Sequence, residues 1–576
     1  MSAAPEKKLD LLLLWHMHQP DFRDAVSGEF TMPWVYLHAT KDYLDMASHF
    51  ERHPNMRGVV NFVPILLDQI EDYVEQFRNG EVRDPLLRLL AREDLHSLTN
   101  QERVLIIDRC FRANHVKMIE PYAPYKRLAE LFRFVENSGA DAARYLSGEY
   151  LGDLLTWYHL SWTGETVRRS HKLVVELMSK GQLFSAADRR ALFELIGSLI
   201  GEIIPRYRKL AQSGQIELSS TPHYHPIGPL MLDLGSARQA QPDLPLPEVD
   251  QYPGGRGRLG WHIQSAVDTH TRRFGAAPRG IWPAEGAISL DFLKTLANAG
   301  IEWAASGEGV LAHSLSRTHS PLPPREQYLY RAYRVGGAGK QITCVFRDDK
   351  LSDLIGFEYS SWHGRDAVAH LMGELDAIRQ QAPEGETPLV AIMLDGENAW
   401  ESYPYNGYYF LDEFYAAVEA HPSIRAVTGA DHVAELSALP ENERNLRQPP
   451  LAEIVAGSWV YGNLATWIGA PEKNLAWNLL CSAKLSYDLV IASGRLSAEE
   501  TALAQKQLAA CEGSDWFWWF GDYNLQESVD SFDQLYRSKL TQLYNTLRLP
   551  APDRLKRPIS TSGVHGEHTG AMRRAS

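Results

Sequence analysis

The stretch Leu389-Val-Ala-Ile-Met-Leu-Asp395-Gly-Glu-Asn-Ala-Trp-Glu401 joins an uninterrupted apolar run to a segment that carries three acids. An apolar run of this length predicts a strand that is buried on both faces, as in a parallel sheet covered by helices. In barrels of alternating strands and helices, the catalytic groups lie where the strands end. The stretch therefore predicts an α/β barrel with Asp395 at the rim of its functional site.

Six other short apolar runs end in polar residues in the same way, and segments with helical periodicity separate them. A parallel α/β sheet or barrel has this alternation in its sequence. The six runs are Leu11–His18, Val59–Pro64, Ile216–Ser219, Gly280–Glu285, Trp303–Ser306 and Ile342–Phe346.

The chain divides into three regions by pattern. Residues 1–434 are predicted to form the barrel, including a helical insertion at about 80–213 that is too long for one barrel crossover. After residue 434 the sequence has no further apolar runs typical of strands, and residues 435–548 are predicted to form a C-terminal helical domain. Residues 549–576 are rich in Pro, Ser, Gly and Arg, which predicts a disordered tail.

The composition excludes several classes of partner. The chain has 58 Lys and Arg against 72 Asp and Glu, a net charge of −14, whereas surfaces for nucleic acids or anionic membranes cluster positive charge. No apolar window is long enough for a membrane span, and the N-terminal run Leu11–Leu14 is too short for a signal peptide. The 4 cysteines contain no Cys-x-x-Cys pair. We therefore expect a soluble cytoplasmic protein with reduced thiols.

A second acid follows an apolar run in Gly280-Ile-Trp-Pro-Ala-Glu285-Gly. Two carboxyl groups from different strand ends of one barrel are what glycoside hydrolysis requires. One attacks or stabilises the anomeric carbon, and the other donates a proton to the leaving oxygen. Position alone does not choose between Glu285 and Asp395 and their competitors Glu302, Glu308 and Glu358.

Two His-x-His pairs, His16 with His18 and His223 with His225, are predicted to lie in extended segments, where each pair points to one side. Together with Asp395 they would suit a zinc or iron site, which is the strongest rival interpretation and implies a metal-dependent hydrolase or deacetylase. The other two interpretations are neutral imidazoles that hydrogen-bond sugar hydroxyls and histidines satisfied within the core.

Five ordered segments of the chain resemble glycoside hydrolase family 57, an α-glucan-active family with retaining chemistry. They run from near the N-terminus to about residue 480 and cover most of the chain. The segments are His18-Gln-Pro20, Glu217-Leu-Ser-Ser-Thr-Pro-His-Tyr-His-Pro226, Gly280-Ile-Trp-Pro-Ala-Glu285, Leu394-Asp-Gly-Glu-Asn-Ala-Trp-Glu401, and Gly457-Ser-Trp459 with Trp467-Ile-Gly469.

The resemblance implies an incomplete (β/α)7 barrel followed by a helical bundle, with Glu285 as the nucleophile and Asp395 as the general acid/base. The segments look most similar to the amylopullulanase and α-amylase branch and less similar to branching enzymes. An α-glucan or malto-oligosaccharide would be the substrate, with no cofactor and no metal ion. The residues that we expect to bind it are His18, Glu217, His223, His225, Trp282, Glu397, Trp400 and Trp459.

Several hypotheses stay open at the level of sequence. The first is an α-glucan hydrolase that cleaves α-1,4 and possibly α-1,6 bonds, and a 4-α-glucanotransferase or branching enzyme could use the same site. The others are a metal-dependent carbohydrate deacetylase and a non-catalytic glucan-binding protein. Retention of both Glu285 and Asp395 argues against the last. Linkage, chain length, oligomeric state, the loop 241–260 and the Trp-rich segment 515–520 are left undecided.

Overall fold

A computed structural model describes residues 7–136, 142–336, 339–561 and 563 of the chain. Nine β-strands form one sheet within these residues. Their bounds are β1 Leu9–Met17, β2 Gly58–Phe62, β3 Ile216–Ser220, β4 Gly280–Ile281, β5 Trp303–Gly307, β6 Tyr333–Val335, β7 Ile342–Arg347, β8 Leu389–Asp395 and β9 Ile424–Val427.

The core of the sheet is a path of parallel strands in the order β7-β5-β4-β3-β2-β1-β8. These strands correspond to the seven apolar runs singled out in the sequence, so the predicted α/β class is confirmed. At the two ends of the path, the backbone N–H of Asp348, next to β7, donates to the carbonyl oxygen of Ala391 in β8 at 2.8 Å.

The sequence did not predict β6, which extends this path beyond β7, or β9, which lies off the path. Strand β6 pairs antiparallel with β7, and β9 pairs in parallel with Leu9–Leu12 of β1. With three and four residues, both are too short to show a strand period. The predicted strand Gly280–Glu285 is also shorter than expected, since only Gly280 and Ile281 keep strand pairing before Pro283, which has no N–H to donate.

Ten α-helices precede β3 in the described part of the chain, and seven of them lie within residues 80–213. The longest of them starts at the capping box that Ser185 and Asp188 form. The helices before β3 are Trp34–His38, Leu44–Arg52, Pro64–Asn79, Pro85–Ala91, Asn100–Cys110, Ala123–Glu136, Gly148–Ser161, Glu165–Ser170, Lys172–Lys180 and Ala186–Gln212.

The helices between β3 and the C-terminal region cover the outside of the sheet. They are Gly228–Leu232, Gly255–Phe274, Leu290–Asn298, Glu308–Ser316, Arg325–Tyr328, Asp349–Asp353, Gly364–Gln381, Tyr408–Ala420, Gly429–Ala438 and Glu441–Arg447.

The C-terminal region consists of the helices Pro471–Ala492, Ala498–Cys511, Asp515–Trp519 and Gln526–Thr546. Residues 549–561, assigned to the tail from sequence, pack against it: Leu555 and Ile559 are buried, and Asp533 accepts a hydrogen bond of 2.6 Å from the backbone N–H of Ile559. Residues 562 and 564–576 lie outside the described residues. Among the helices that the structure describes, none has the length and apolarity needed to cross a bilayer.

Candidate active site

A cleft of about 420 Å³ opens at the carboxyl ends of the parallel strands, where the C-terminal region packs over them. Its walls carry both acids that the sequence singled out, together with histidines and tryptophans. The lining includes His16, His18, Trp34, Glu285, Arg347, Asp395, Glu397, Trp459, Asp515, Trp518 and Trp519.

Glu285 follows β4 on a single 3-10 turn, Ala284–Gly286, and is half-buried. Its backbone is left-handed, with φ 58° and ψ 25°. A glutamate is held in this strained region only where its surroundings fix it, and such residues cluster at functional sites. The Nε1–H of Trp459 donates to Oε2 of Glu285 at 3.1 Å, which fixes the direction of the carboxylate.

The segment that carries Trp459 lies directly against the sheet. Gly457 and Ile288 pair in an isolated antiparallel bridge, and the backbone N–H of Trp459 donates to the carbonyl oxygen of Glu285 at 3.2 Å. A Cβ atom on Gly307, at the end of β5, would lie only 2.5 Å from the Cα of Trp459. The glycine therefore permits the close approach that brings the indole to Glu285.

Asp395 is the last residue of β8 and lies opposite His16 of β1. Asn398 donates to its Oδ2 at 2.9 Å. Burial raises the pKa of Asp395 above its ordinary value, while the Asn398 hydrogen bond and the charges of His18 and Arg347 act in the opposite direction. A half-buried carboxyl with a raised pKa is suited to hold and donate a proton.

Glu397 lines the cleft two residues further along and is 2% exposed. Burial, with added repulsion from Asp395 and Asp42, raises its pKa well above the usual value. Its Oε1 accepts from the backbone N–H of His18 at 3.4 Å, and its Oε2 has no hydrogen-bond partner among the described residues. A raised pKa favours the protonated form of Glu397, and only that form can donate a hydrogen bond to a ligand.

Three imidazoles form a stack at the base of the cleft. The ring centroid of His225 lies 3.9 Å from that of His18 and 5.2 Å from that of His16. Burial, reinforced by the neighbouring His18, lowers the pKa of His16 to about 3, and burial lowers that of His225 well below its usual value. The Nε2 of His18 lies 2.8 Å from Oδ1 of Asp515, and the Nδ1 of His225 lies 2.7 Å from the Ser514 hydroxyl.

His18, His225 and Asp515 are also the group among the described residues that could hold a metal ion, with ligand atoms within 4.8 Å of one another. The two rings, however, face each other at an interplanar angle of 22°. An ion shared by two stacked rings would be bound far out of the plane of each ring, whereas the imidazole lone pair lies in the plane. A metal would therefore require these rings to rotate.

Two of the expected substrate-binding residues are outside the cleft. Glu217 lies near the start of β3, where Oε1 accepts from Nε1 of Trp303 at 2.8 Å and Oε2 from the backbone N–H of Ala430 at 2.7 Å. Burial raises its pKa to about 7. His223 lies 2.9 Å from Asp68 in a separate cavity. The expectation that His223 and His225 point to one side is wrong, because the segment is a turn and not extended: the backbone N–H of His225 donates to the carbonyl oxygen of Pro222 at 2.8 Å, and His225 is left-handed (φ 60°).

Three further expectations about substrate contacts are corrected by burial. Trp282 and His225 are both 0% exposed and lie beneath the cleft surface, so neither presents a face to a ligand. Trp400 is 1% exposed, and its Nε1 donates to the carbonyl oxygen of Gly396 at 2.9 Å, within the loop that follows β8. Of the three expected tryptophan platforms, only Trp459 lines the cleft.

The structure adds residues that the sequence did not assign. Trp518 and Trp519 form the cleft wall on the C-terminal side, while Trp516 and Phe517 of the same segment are core residues.

Arg347 ends β7, is 4% exposed, and places its guanidinium carbon 5.4 Å from the ring of Trp459. The sequence feature that could have identified Arg347 is its position directly after an apolar run, where two aspartates follow it. The competing acids Glu302, Glu308 and Glu358 are not among the lining residues.

Residues 12–443 of the chain match the sequence profile of Glycosyl hydrolase family 57. No curated protein sequence matched the chain.

Solved structures of three enzymes share the fold at low sequence identity. The GH57 branching enzyme of Thermococcus kodakaraensis is 13% identical with a TM-score of 0.55, over 94% of this chain and 90% of that one. The α-amylase AmyC of Thermotoga maritima is 14% identical with a TM-score of 0.53, over 95% and 96%. The 4-α-glucanotransferase of Thermococcus litoralis is 14% identical with a TM-score of 0.50, over 93% and 60%.

Proposed function

Because the chain belongs to glycoside hydrolase family 57, we propose that it is a retaining α-glucan-active enzyme of the α-amylase or amylopullulanase type. In this proposal Glu285 is the nucleophile and Asp395 the general acid/base. The observation that carries it is the placement of these two carboxyl groups on the walls of one cleft in different environments. Glu285 accepts a hydrogen bond from an indole N–H, whereas burial raises the pKa of Asp395.

The two environments fit the two steps of a double displacement. In the first step Asp395 donates its proton to the glycosidic oxygen, the bond from that oxygen to C1 breaks, and Glu285 forms a bond to C1. In the second step Asp395 takes a proton from water or from a sugar hydroxyl, whose oxygen attacks C1 and releases Glu285. Each step inverts C1, so the product keeps the α configuration.

Other groups at the cleft fit roles in binding. Glu397, whose pKa is raised by burial, can in its protonated form donate a hydrogen bond to a sugar hydroxyl. Trp459, Trp518 and Trp519 offer aromatic surface to the apolar faces of glucose rings. The solved relatives act as amylase, branching enzyme and glucanotransferase by their names, which supports an α-glucan as the substrate class.

Transfer to a sugar is the second candidate function. The segment Asp515–Trp519 covers the cleft from the C-terminal side and adds aromatic surface next to the proposed catalytic acids. A sugar acceptor that stacks there would compete with water for the covalent intermediate. Hydrolase and transferase would then share the same residues and differ in which hydroxyl reaches C1.

The test is to incubate the protein with maltoheptaose and with a branched glucan, separate the products by length, and follow their anomeric protons by NMR. Hydrolysis gives only shorter oligomers and transfer also gives longer ones, with the α anomer formed first in either case. Glu285→Gln is the control for contaminating amylase. Initial release of the β anomer, or equal turnover by the control, would contradict the proposal.

A further inference from the structure

A second cavity of about 270 Å³ adjoins the catalytic cleft, and we call it the outer cavity. Glu401 lines both spaces. Two pairs of sequence neighbours are divided between them: Trp162 and Ser402 line the cleft, whereas Ser161 and Tyr403 line the outer cavity. A ligand that leaves the cleft past Glu401 therefore reaches the outer cavity.

The loop that forms one wall of the outer cavity has an unusual backbone. Tyr405 (φ 54°, ψ 40°) and Asn406 (φ 54°, ψ 35°) are both left-handed, and Gly407 follows with φ 70°. Consecutive non-glycine residues in this region are strained, and they persist only where the surrounding structure holds them.

Buried polar groups hold this loop. Lys41 donates to Oδ1 of Asn406 at 2.8 Å, and the amide of Asn406 donates to Oδ2 of Asp45 at 3.0 Å. Asp45 itself accepts from the backbone N–H groups of Glu165 and Thr166 at 2.7 and 3.0 Å. Lys41 and Asp45 are each 2% exposed. The barrel side and the helical insertion thus jointly fix the loop conformation.

This conformation holds the ring of Tyr405 in place and leaves it exposed to solvent. Tyr405 lines the outer cavity and remains 56% exposed. The guanidinium carbon of Arg169 lies 5.7 Å from its ring centroid, and the ring of Tyr409 packs edge-on at 5.5 Å. A large aromatic side chain that is held in place and left uncovered is typical of a binding platform.

The rest of the lining suits an uncharged ligand rich in hydroxyl groups. The side chain of Tyr122 adds a second, half-buried aromatic ring, and Lys117 adds an ammonium group that can donate hydrogen bonds. The other two cations at the wall are paired: Arg168 with Glu165 at 2.7 Å and Lys41 with Asp42 at 2.6 Å. Aromatic faces with a few hydrogen-bond donors match the apolar faces and hydroxyl edges of glucose units.

We propose that the outer cavity is a remote subsite that binds glucose units of the same glucan chain whose scissile bond lies in the cleft, with Tyr405 as the stacking platform. This inference rests on the proposed function. It implies that the enzyme prefers long α-glucan chains, because only these reach past Glu401.

The experiment compares kcat/KM for amylose with kcat/KM for maltotetraose in the wild type and in Tyr405→Asn. Asparagine tolerates the left-handed backbone, so the change removes the ring and keeps the loop. We expect the amylose-to-maltotetraose ratio to fall about threefold to tenfold, the range of one aromatic stacking contact. Tyr405→Trp should restore it. Tyr145→Asn, a change at an exposed tyrosine outside both cavities, is the matched control and should keep the wild-type ratio.

Binding calorimetry of maltoheptaose to Glu285→Gln, with and without Tyr405→Asn, tests occupancy without turnover, and we expect weaker binding in the double variant. If the wild type cleaves both glucans and Tyr405→Asn keeps its ratio and its affinity, the subsite is overturned while the proposed function stands. If the wild type cleaves neither glucan and Glu285→Gln binds none, the remote subsite and the proposed function are both wrong.

Discussion

The Nε1–H of Trp459 donates a hydrogen bond of 3.1 Å to Oε2 of Glu285, and the backbone N–H of the same tryptophan donates to the carbonyl oxygen of Glu285 at 3.2 Å. One residue that follows the last strand of the sheet thus holds both the backbone and the carboxylate of a left-handed glutamate. A proposed nucleophile is in this way oriented by a segment that is more than 170 positions away in the sequence.

Trp459→Phe tests this contact because it keeps an aromatic ring and removes the N–H donor. We expect kcat to fall about tenfold to a hundredfold, since a hydrogen bond to a charged group contributes roughly 1.5–3 kcal/mol. Steady-state kinetics on maltoheptaose measures the effect. Trp362→Phe, at an exposed tryptophan outside the cleft lining, is the control. Wild-type kcat in Trp459→Phe would show that the indole donor does not support Glu285.

The roles of the two acids can be separated by the leaving group. Fluoride needs no proton to depart, so Asp395→Asn should lose nearly all activity on maltoheptaose and keep the first step on an α-glycosyl fluoride. This step appears as an initial burst of fluoride, because the second step still lacks its base. Glu285→Gln should lose both activities because it cannot form the covalent intermediate. Initial rates with both substrates give the two ratios. The reverse pattern would exchange the assignments, and circular dichroism would verify that both variants are folded.

The pH profile should depend on Asn398. Its N–H group stabilises the charged form of Asp395, so Asn398→Ala should raise the pKa of Asp395 further above its ordinary value. The general acid must be protonated to act, and activity is lost as pH rises through its pKa. The alkaline limb of kcat/KM should therefore move to higher pH in this variant. Asn79→Ala, at an exposed helix end, should keep the wild-type limb, and a shift to lower pH in Asn398→Ala would contradict the assignment.

The histidine stack allows a direct test of the metal-dependent alternative. Because the rings of His18 and His225 face each other, we expect dialysis against EDTA to leave glucan turnover unchanged. Elemental analysis of the dialysed protein provides the independent measurement. Loss of turnover on dialysis, with recovery on adding zinc, would favour the deacetylase-type site with His18, His225 and Asp515 as ligands.

Glu512 should make stability depend on acid pH. It is fully buried and accepts from Arg258 at 2.7 Å through both oxygens and from His262 at 2.7 Å. Burial alone would raise its pKa, but Arg258 and then His262 lower it to about 2, below the ordinary value of 4.5. This stabilisation is complete above the ordinary value and is lost as pH falls toward 2.

Glu512→Gln should therefore lower the free energy of unfolding by about 3–5 kcal/mol at neutral pH, the usual cost of breaking a buried ion pair. Urea titrations between pH 7 and pH 3 should show that the difference in free energy of unfolding between the variant and the wild type becomes smaller as the pH falls. The exposed Glu453→Gln is the matched control. A gap that stays constant over this range would mean that ionised Glu512 does not stabilise the fold.

The sequence by itself predicted the parallel strands and a set of five acids near their ends, from which the ordered motifs select Glu285 and Asp395. Each of the seven runs is a local signal: consecutive apolar side chains can be satisfied only by burial on both faces, and the acids stand out because they interrupt that pattern at the strand ends. The short strands β6 and β9 carry no such period and were missed for that reason. The roles of Glu285 and Asp395 came from the ordered motifs and stay a proposal.

Only the tertiary structure decided which neighbours reach the cleft. Glu217, His223, Trp282 and Trp400 belong to matching motifs, yet they face buried partners or another cavity, because a motif does not record the direction of a side chain. Asp515, Trp518 and Trp519 reach the cleft only because the C-terminal helices fold back over the strand ends. Such contacts join residues hundreds of positions apart, and no local pattern of polarity encodes them.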